Sequence, residues 1–401
     1  MKRKYTWMIF VLGLFLFVRS EAQINNPIDS RFIELVEQNS TTLKAYQDQI
    51  EATKVGAKTN LNPSNPQVNY VRISDGDNYN EEIEVTQQFD FPTVYTQKRK
   101  GSKLEIERLE GEYRVYRQNI LAEAYKAFTN YAYALKMSDM AKKRAQQSQD
   151  VKELMQKRFE NGDITAIELS KAEMESALVQ SRLDNWMVEL NSVSQDLALF
   201  VGDMNAQSNL LSELASVHLS LDKSNEAKTQ LKDLWVNSDA AVIEAAYQSK
   251  ISDVNIGVKR SQSLPKLMVG YRQEKNNAFT MNGPSLGVTI PLWENKNTVK
   301  QAKLEKIYAE SNEDDMRLKA ALQFEKLYQT ASYNADLVQS LSNNLPEGKV
   351  LNHLMLSLEE GYISLLEYYA QLSVYYDLQD QLEKVKMTFK TSYIDLYKVA
   401  L

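Results

Sequence analysis

The chain has 401 residues, with no cysteine, two histidines, thirteen glycines and eight prolines, and its 53 acidic side chains against 47 basic ones give a net charge of −6. The absence of cysteine excludes a disulfide framework, a thiolate metal site and a thiol nucleophile, and His218 and His353 are too far apart in sequence to build a His-based centre unaided. The acidic balance disfavours nucleic acid as a partner, and a mean hydropathy of −0.46 argues against a multi-span helical membrane protein.

Residues Met1 to Ala22 read as a secretory signal peptide: a basic start (Lys2, Arg3, Lys4), an apolar run from Trp7 to Val18, then Ser20-Glu21-Ala22. Cleavage there leaves Gln23 first. The apolar run falls short of the ~20 residues of a spanning helix, which sets this reading against an uncleaved anchor. Export without cysteine points to a periplasm or an outer membrane.

The rest is written twice. Pro66 and Pro265, Pro92 and Pro291, and Gly162 and Gly361 are each 199 residues apart. Breakers are scarce, so agreement at one offset marks an internal repeat. The first copy spans 23–201, a linker 202–226, and the second copy 227–401.

In the first copy a helical stretch from Phe32 to Asn60 stops at Asn62-Pro63-Ser64-Asn65-Pro66. The period then changes to that of strands, expected over 67–74 and 82–91, where Ile83, Val85, Phe89 and Phe91 alternate with polar residues. Strands over 266–274 and 284–292 are expected in the second copy. Their lengths suit tilted transmembrane strands. The pattern equally suits a small sheet on a soluble helical domain. Four strands cannot close a barrel, so a membrane reading requires several chains to pool theirs.

A very long helix is expected over 93–159, about 100 Å at ~1.5 Å per residue, and again over 295–358. Leu121, Ala124, Phe128, Tyr131 and Leu135 make a coiled-coil stripe, as do Ala320, Phe324, Leu327, Ala331, Val338, Leu341 and Leu345. Each long helix ends in G-x-I-[ST]-x-[IL]-E, at Gly162 to Glu168 and Gly361 to Glu367. The glycine suits a left-handed turn, Thr165 or Ser364 caps the returning helix, and Glu168 or Glu367 completes a capping box. A capping role and a pore-lining role for the two glutamates both remain open.

This layout resembles the TolC-like outer-membrane efflux proteins from about Asn26 to Leu401. The most specific pieces are Arg158-Phe159-Glu160-Asn161-Gly162, similar to the family's R-[YF]-x-x-G tip, and Gly361 to Gln371, similar to its G-x-[IS]-S-L-L-E-x-x-x-Q. Gln88 to Tyr95 and Gly287 to Trp293 are similar to strand-to-helix junctions of the heavy-metal CzcC/CusC-like branch.

The resemblance implies a mainly α fold with a small β part: duplicated coiled-coil hairpins and four transmembrane strands per chain. A homotrimer would form a twelve-stranded barrel in outer-membrane lipid and a helical tunnel in the periplasm. It implies partnership with a periplasmic adaptor, or membrane fusion protein, and with an inner-membrane RND-type transporter. By position, Arg158, Phe159, Gly162, Gly361 and Ser364 would belong to the adaptor-contact tip, and Glu168 and Glu367 to the pore entrance. Two departures stand out: Ser357 and Leu358 replace Arg158 and Phe159 at the second tip, and the lipidated N-terminal cysteine of many relatives is missing.

The expected function is therefore a passive exit duct, with heavy-metal cations as the favoured cargo. No cofactor, metal site or catalytic group is expected, because no phosphate-binding loop, H-E-x-x-H or nucleophile motif is present. A type I protein secretion duct and a soluble periplasmic coiled-coil scaffold are the competing readings.

Overall fold

The computed structural model of the chain describes residues 29–217, 219–345 and 349–401. The signal-peptide reading of Met1 to Ala22, and His218, lie outside them.

Two helices open each copy. Asp29 caps α1 (Ser30–Asn39), and Ser40, in extended backbone, caps α2 (Thr41–Gly56) by accepting from the Leu43 amide. The single helix expected over 32–60 is thus broken at Ser40, because its hydroxyl competes for the amides of a new helix start. The second copy breaks at the matching place: Asp239, 199 residues on, caps α7 (Ala240–Gln262) after α6 (Asn225–Ser238).

The strands are β1 (Gln67–Asp75), β2 (Asn78–Phe89), β3 (Lys266–Asn276) and β4 (Thr280–Thr289). They form one antiparallel sheet in the order β1-β2-β3-β4, so the two copies meet at β2–β3. β2 and β4 begin four residues earlier than expected. Gly76, at φ +59°, allows a tight turn that carries Asn78 straight into the ladder. Pro284 lies inside β4, a strand with an open edge, where a missing amide donor is tolerated.

From the sheet, α3 (Pro92–Glu160) runs 69 residues with proline in its first turn, and α4 (Ala166–Val201) returns along it. A short helix, α5 (Ser208–Ala215), lies in the linker. The second long helix is not continuous. α8 (Thr298–Asn344) stops at Leu345, whose extended ψ of 118° is what a following proline demands, and α9 (Lys349–Glu359) carries the chain to the second turn before α10 (Leu365–Tyr397). The uninterrupted helix expected over 295–358 is corrected accordingly.

The duplication is visible in the core. Phe32 and Leu231, Val36 and Trp235, Leu43 and Val242, Tyr125 and Phe324, and Leu197 and Leu396 are pairs 199 apart, and every member is buried. Leu121, Ala124 and Phe128 of the expected stripe join the first core with α1, α4 and α5; Ala320, Phe324 and Ala331 join the second with α6 and α10. Tyr131 packs at the edge of the first core, while Leu135 is exposed.

The helices form a layer with α3 bound to α4, α7 and α10, and α8 bound to α7 and α10. α4 and α8 therefore lie at its opposite margins, and both carry exposed apolar residues: Met174, Leu178 and Met187 on one, Leu304, Leu318 and Leu322 on the other. Among the described residues, no helix is long and apolar enough to cross a membrane.

Candidate functional site

Both tips are Schellman turns. At the first, the Asp163 amide donates to the Arg158 carbonyl (2.8 Å) and the Gly162 amide to the Phe159 carbonyl (3.0 Å). At the second, Tyr362 donates to Ser357 (2.8 Å) and Gly361 to Leu358 (3.2 Å). Gly162 and Gly361 have φ of +80° and +76°, the left-handed region that such turns demand and that a Cβ disfavours.

The capping boxes are complete. Glu168 Oε2 accepts from the Thr165 amide (2.8 Å) and hydroxyl (2.9 Å), while Thr165 Oγ1 accepts from the Glu168 amide. Glu367 repeats this with Ser364 at 2.8 Å for both bonds. The backbone amide first, and then the hydroxyl, hold each carboxyl below the usual glutamate range; Arg158 adds its charge at Glu168. Both tips thus carry an ionised carboxylate at the surface.

The tips differ in what they expose. Phe159 is 41 % exposed, whereas Leu358, its counterpart, is 1 % exposed and sits in a cluster with Val151, Met155, Ala172, Leu365 and Tyr368. That cluster joins the two hairpins. Arg158 adds a polar link, donating from Nη1 to the Leu358 carbonyl at 3.2 Å. The sequence motif alone marks Arg158 as a surface contact and gives no sign of this partner, because a backbone carbonyl has no residue signature. Exposed Ile167, Tyr362 and Leu366 complete an apolar rim around the turns.

The sheet is the second feature. Its register sets Val68, Val85, Tyr271 and Pro284 in one cross-strand row, and Phe89, Leu267 and Val288 in another on the same face. Val269 and Leu286 also lie there. Exposed Phe91, Ile290, Leu292 and Trp293 follow at the helical end, and Arg72, Glu81 and Lys275 bound the same face towards the hairpin turns. The opposite face carries Asn69, Glu82, Glu84, Thr86, Gln88, Arg272 and Glu274; Val71, Ile73, Met268 and Met281 are its apolar exceptions. Arg272 Nε pairs with Glu82 Oε1 at 2.9 Å. A slip of one residue would exchange the two faces, so the ladder itself specifies this segregation. Among the described residues, the outer edges of β1 and β4 pair with nothing.

Among the described residues, no group of three or more potential ligands could hold a metal ion. The structure brings Arg158, Phe159, Gly162, Gly361, Ser364, Glu168 and Glu367 to the two tips.

No protein-family model and no curated protein matches the chain. Solved structures do. The chain superposes on CusC, a protein studied for folding and transmembrane channel formation, with a TM-score of 0.72 at 14 % identity, covering 92 % of this chain and 91 % of that one. It matches the outer-membrane channel OprN with a TM-score of 0.73 at 11 % identity, covering 95 % of each. The outer membrane protein VceC of Vibrio cholerae gives 0.69 at 15 %, covering 92 % and 94 %. This chain therefore has the TolC-like fold that these three membrane proteins share.

Proposed function

We propose that the chain is the outer-membrane exit duct of a tripartite efflux pump, acting as a passive channel without catalytic chemistry. The observation that carries the proposal is the sheet: one face mainly apolar and exposed, the other mainly polar and charged, with both edges unpaired among the described residues. In water that apolar face and those edges are liabilities. In a bilayer the same face meets lipid, the polar face lines a lumen, and closure with further copies satisfies the edges. The exposed apolar margins on α4 and α8 supply a matching head-to-tail contact between copies along the helices. A homotrimer, giving twelve strands, is the closed assembly proposed.

In this reading the helices hang into the periplasm. The tips, with Arg158, Phe159, Gly162, Gly361 and Ser364, meet a periplasmic adaptor bound to an inner-membrane RND-type transporter, and Glu168 and Glu367 place ionised carboxylates around the entrance. The cargo proposed is heavy-metal cations. The likeness in fold extends to OprN and VceC as well as CusC, so the strand-to-helix junction residues carry the cargo assignment.

Membrane fractionation followed by planar-bilayer recording tests the duct. Recovery in the outer-membrane fraction, release only by detergent as a trimer, and discrete conductance steps are expected. Recovery as a salt-extractable soluble protein would overturn it. For the entrance, Glu168→Gln with Glu367→Gln is expected to reduce cation selectivity, and unchanged selectivity would leave these residues with capping alone.

A further inference from the structure

A cleft of about 490 Å³ opens between α3, α4 and α10, outside the two turns and the sheet. Its volume falls in the range of small-molecule sites. Arg144 and Ser148, one turn apart on α3, line it. The guanidinium of Arg144 is held by Asp380 (2.6 and 2.9 Å) and Gln379 (2.9 Å) and lies 4.1 Å from the Tyr376 ring centroid. Beside it, Tyr376 donates to Gln147 and Gln147 to Tyr368, so this part of the network is satisfied.

Three polar atoms on side chains that line the cleft are not. Arg144 Nε, Ser148 Oγ and the Tyr369 hydroxyl are buried without a hydrogen-bonding partner, and Ser148 as a whole is only 7 % exposed. Buried polar atoms nearly always have partners, so three orphans lining one cleft are unusual. All three can donate. Nε–H can do nothing else, and burial, reinforced by the charge of Glu175, keeps the proton on Tyr369. What they lack is an acceptor.

The rim has the opposite character. Asp380 offsets Arg144, which leaves Glu175 and Asp377 against Arg182, a net negative mouth, with Trp186 as an aromatic wall. We propose that this cleft binds a small organic cation bearing an acceptor oxygen, the oxygen seated on Arg144 Nε, Ser148 Oγ and Tyr369, and the positive end between Glu175 and Asp377. An anion would meet the two rim carboxylates, and a purely apolar ligand would leave the three donors unpaired.

Argininamide, which combines a carboxamide oxygen with a cationic end, is the probe, titrated into the full chain in detergent and followed by the fluorescence of Trp186 against a Trp186→Phe control. Saturable quenching is expected, with Ser148→Ala and Tyr369→Phe each weakening the apparent affinity roughly five-fold or more, the effect of one lost hydrogen bond or a little over. Ethylguanidinium, lacking the oxygen, is expected to bind more weakly. Ser148→Ala is expected to leave the thermal midpoint unchanged or raised, because the hydroxyl has no partner to lose. Quenching that never saturates, or affinity unchanged in both variants, would overturn the proposal. So would a lowered midpoint in Ser148→Ala, which would give the hydroxyl a structural role.

Discussion

Arg158 and Leu358, 200 residues apart in sequence, meet at the tips: the guanidinium of the first turn donates to a carbonyl that the second turn already uses for its own Gly361 amide. One carbonyl therefore closes a Schellman turn and ties the two hairpins together. Arg158→Ala is expected to loosen the second turn by about 1 kcal/mol, less than a buried hydrogen bond from a charged group contributes, because the pair is only half-buried and partly screened by solvent. Hydrogen exchange of the Gly361 and Tyr362 amides would then quicken several-fold. Unchanged protection would show that the buried Leu358 cluster alone joins the hairpins.

Valine at Gly162 or Gly361 forces a branched side chain into left-handed backbone, at roughly 1–2 kcal/mol. Gly361→Val is expected to be the more damaging, because a Cβ there already makes van der Waals contact with Arg158 Nη2 at 3.4 Å, so that the added methyl groups press on the guanidinium, whereas the space at Gly162 is open. Asparagine at either position should be milder. Thermal unfolding checks the order, and equal midpoints for the two valine variants would remove the Arg158 contribution.

The capping boxes make the tips sensitive to acid. Glu168 and Glu367 have folded-state pKa values below their unfolded ones. Their contribution is therefore complete above the unfolded value of about 4.3–4.5 and is lost as pH falls through the folded value. Exchange at the Thr165 and Ser364 amides should accelerate below about pH 4, relative to its intrinsic rate. In the Glu168→Gln, Glu367→Gln double variant this dependence should disappear, since glutamine still closes a capping box at every pH. An unaltered acid response in the double variant would place its origin elsewhere.

On the sheet, Leu286→Arg puts a charge on the apolar face and Asn69→Arg puts one on the polar face. The first is expected to cost ~2–4 kcal/mol of assembly in a bilayer, and the second little. Trimer yield after extraction from membranes reads the difference, and equal yields would contradict the assignment of faces.

The duplication and both tips were legible in the sequence because few breakers exist and each sits where the backbone needs it, as Gly162, Gly361 and the capping pairs show. The helix breaks at Ser40 and Asp239 were less visible, since both residues sit within helical composition and act through side-chain oxygens that a periodicity reading ignores. The early start of β2 was hidden because Asn78, Asn80 and Glu81 are polar and Tyr79 alone breaks the run, so no apolar alternation marks these four residues. Arg158's tie to Leu358, the burial of Leu358 and the cleft around Ser148 depend on helices far apart in sequence, which no local pattern records.

The chain's lack of cysteine makes single-cysteine scanning of β2 the most direct test of the central claim, that the sheet is the wall of a membrane duct. Cysteines at 82 to 86, one at a time in the membrane-assembled protein, would be challenged with a charged, membrane-impermeant maleimide. The account predicts labelling at 82 and 84 and protection at 83 and 85, a period of two set by the register, while 86 is protected as well because Thr86 is buried against its neighbours. Labelling at 83 and 85 equal to that at 82 and 84 would contradict it.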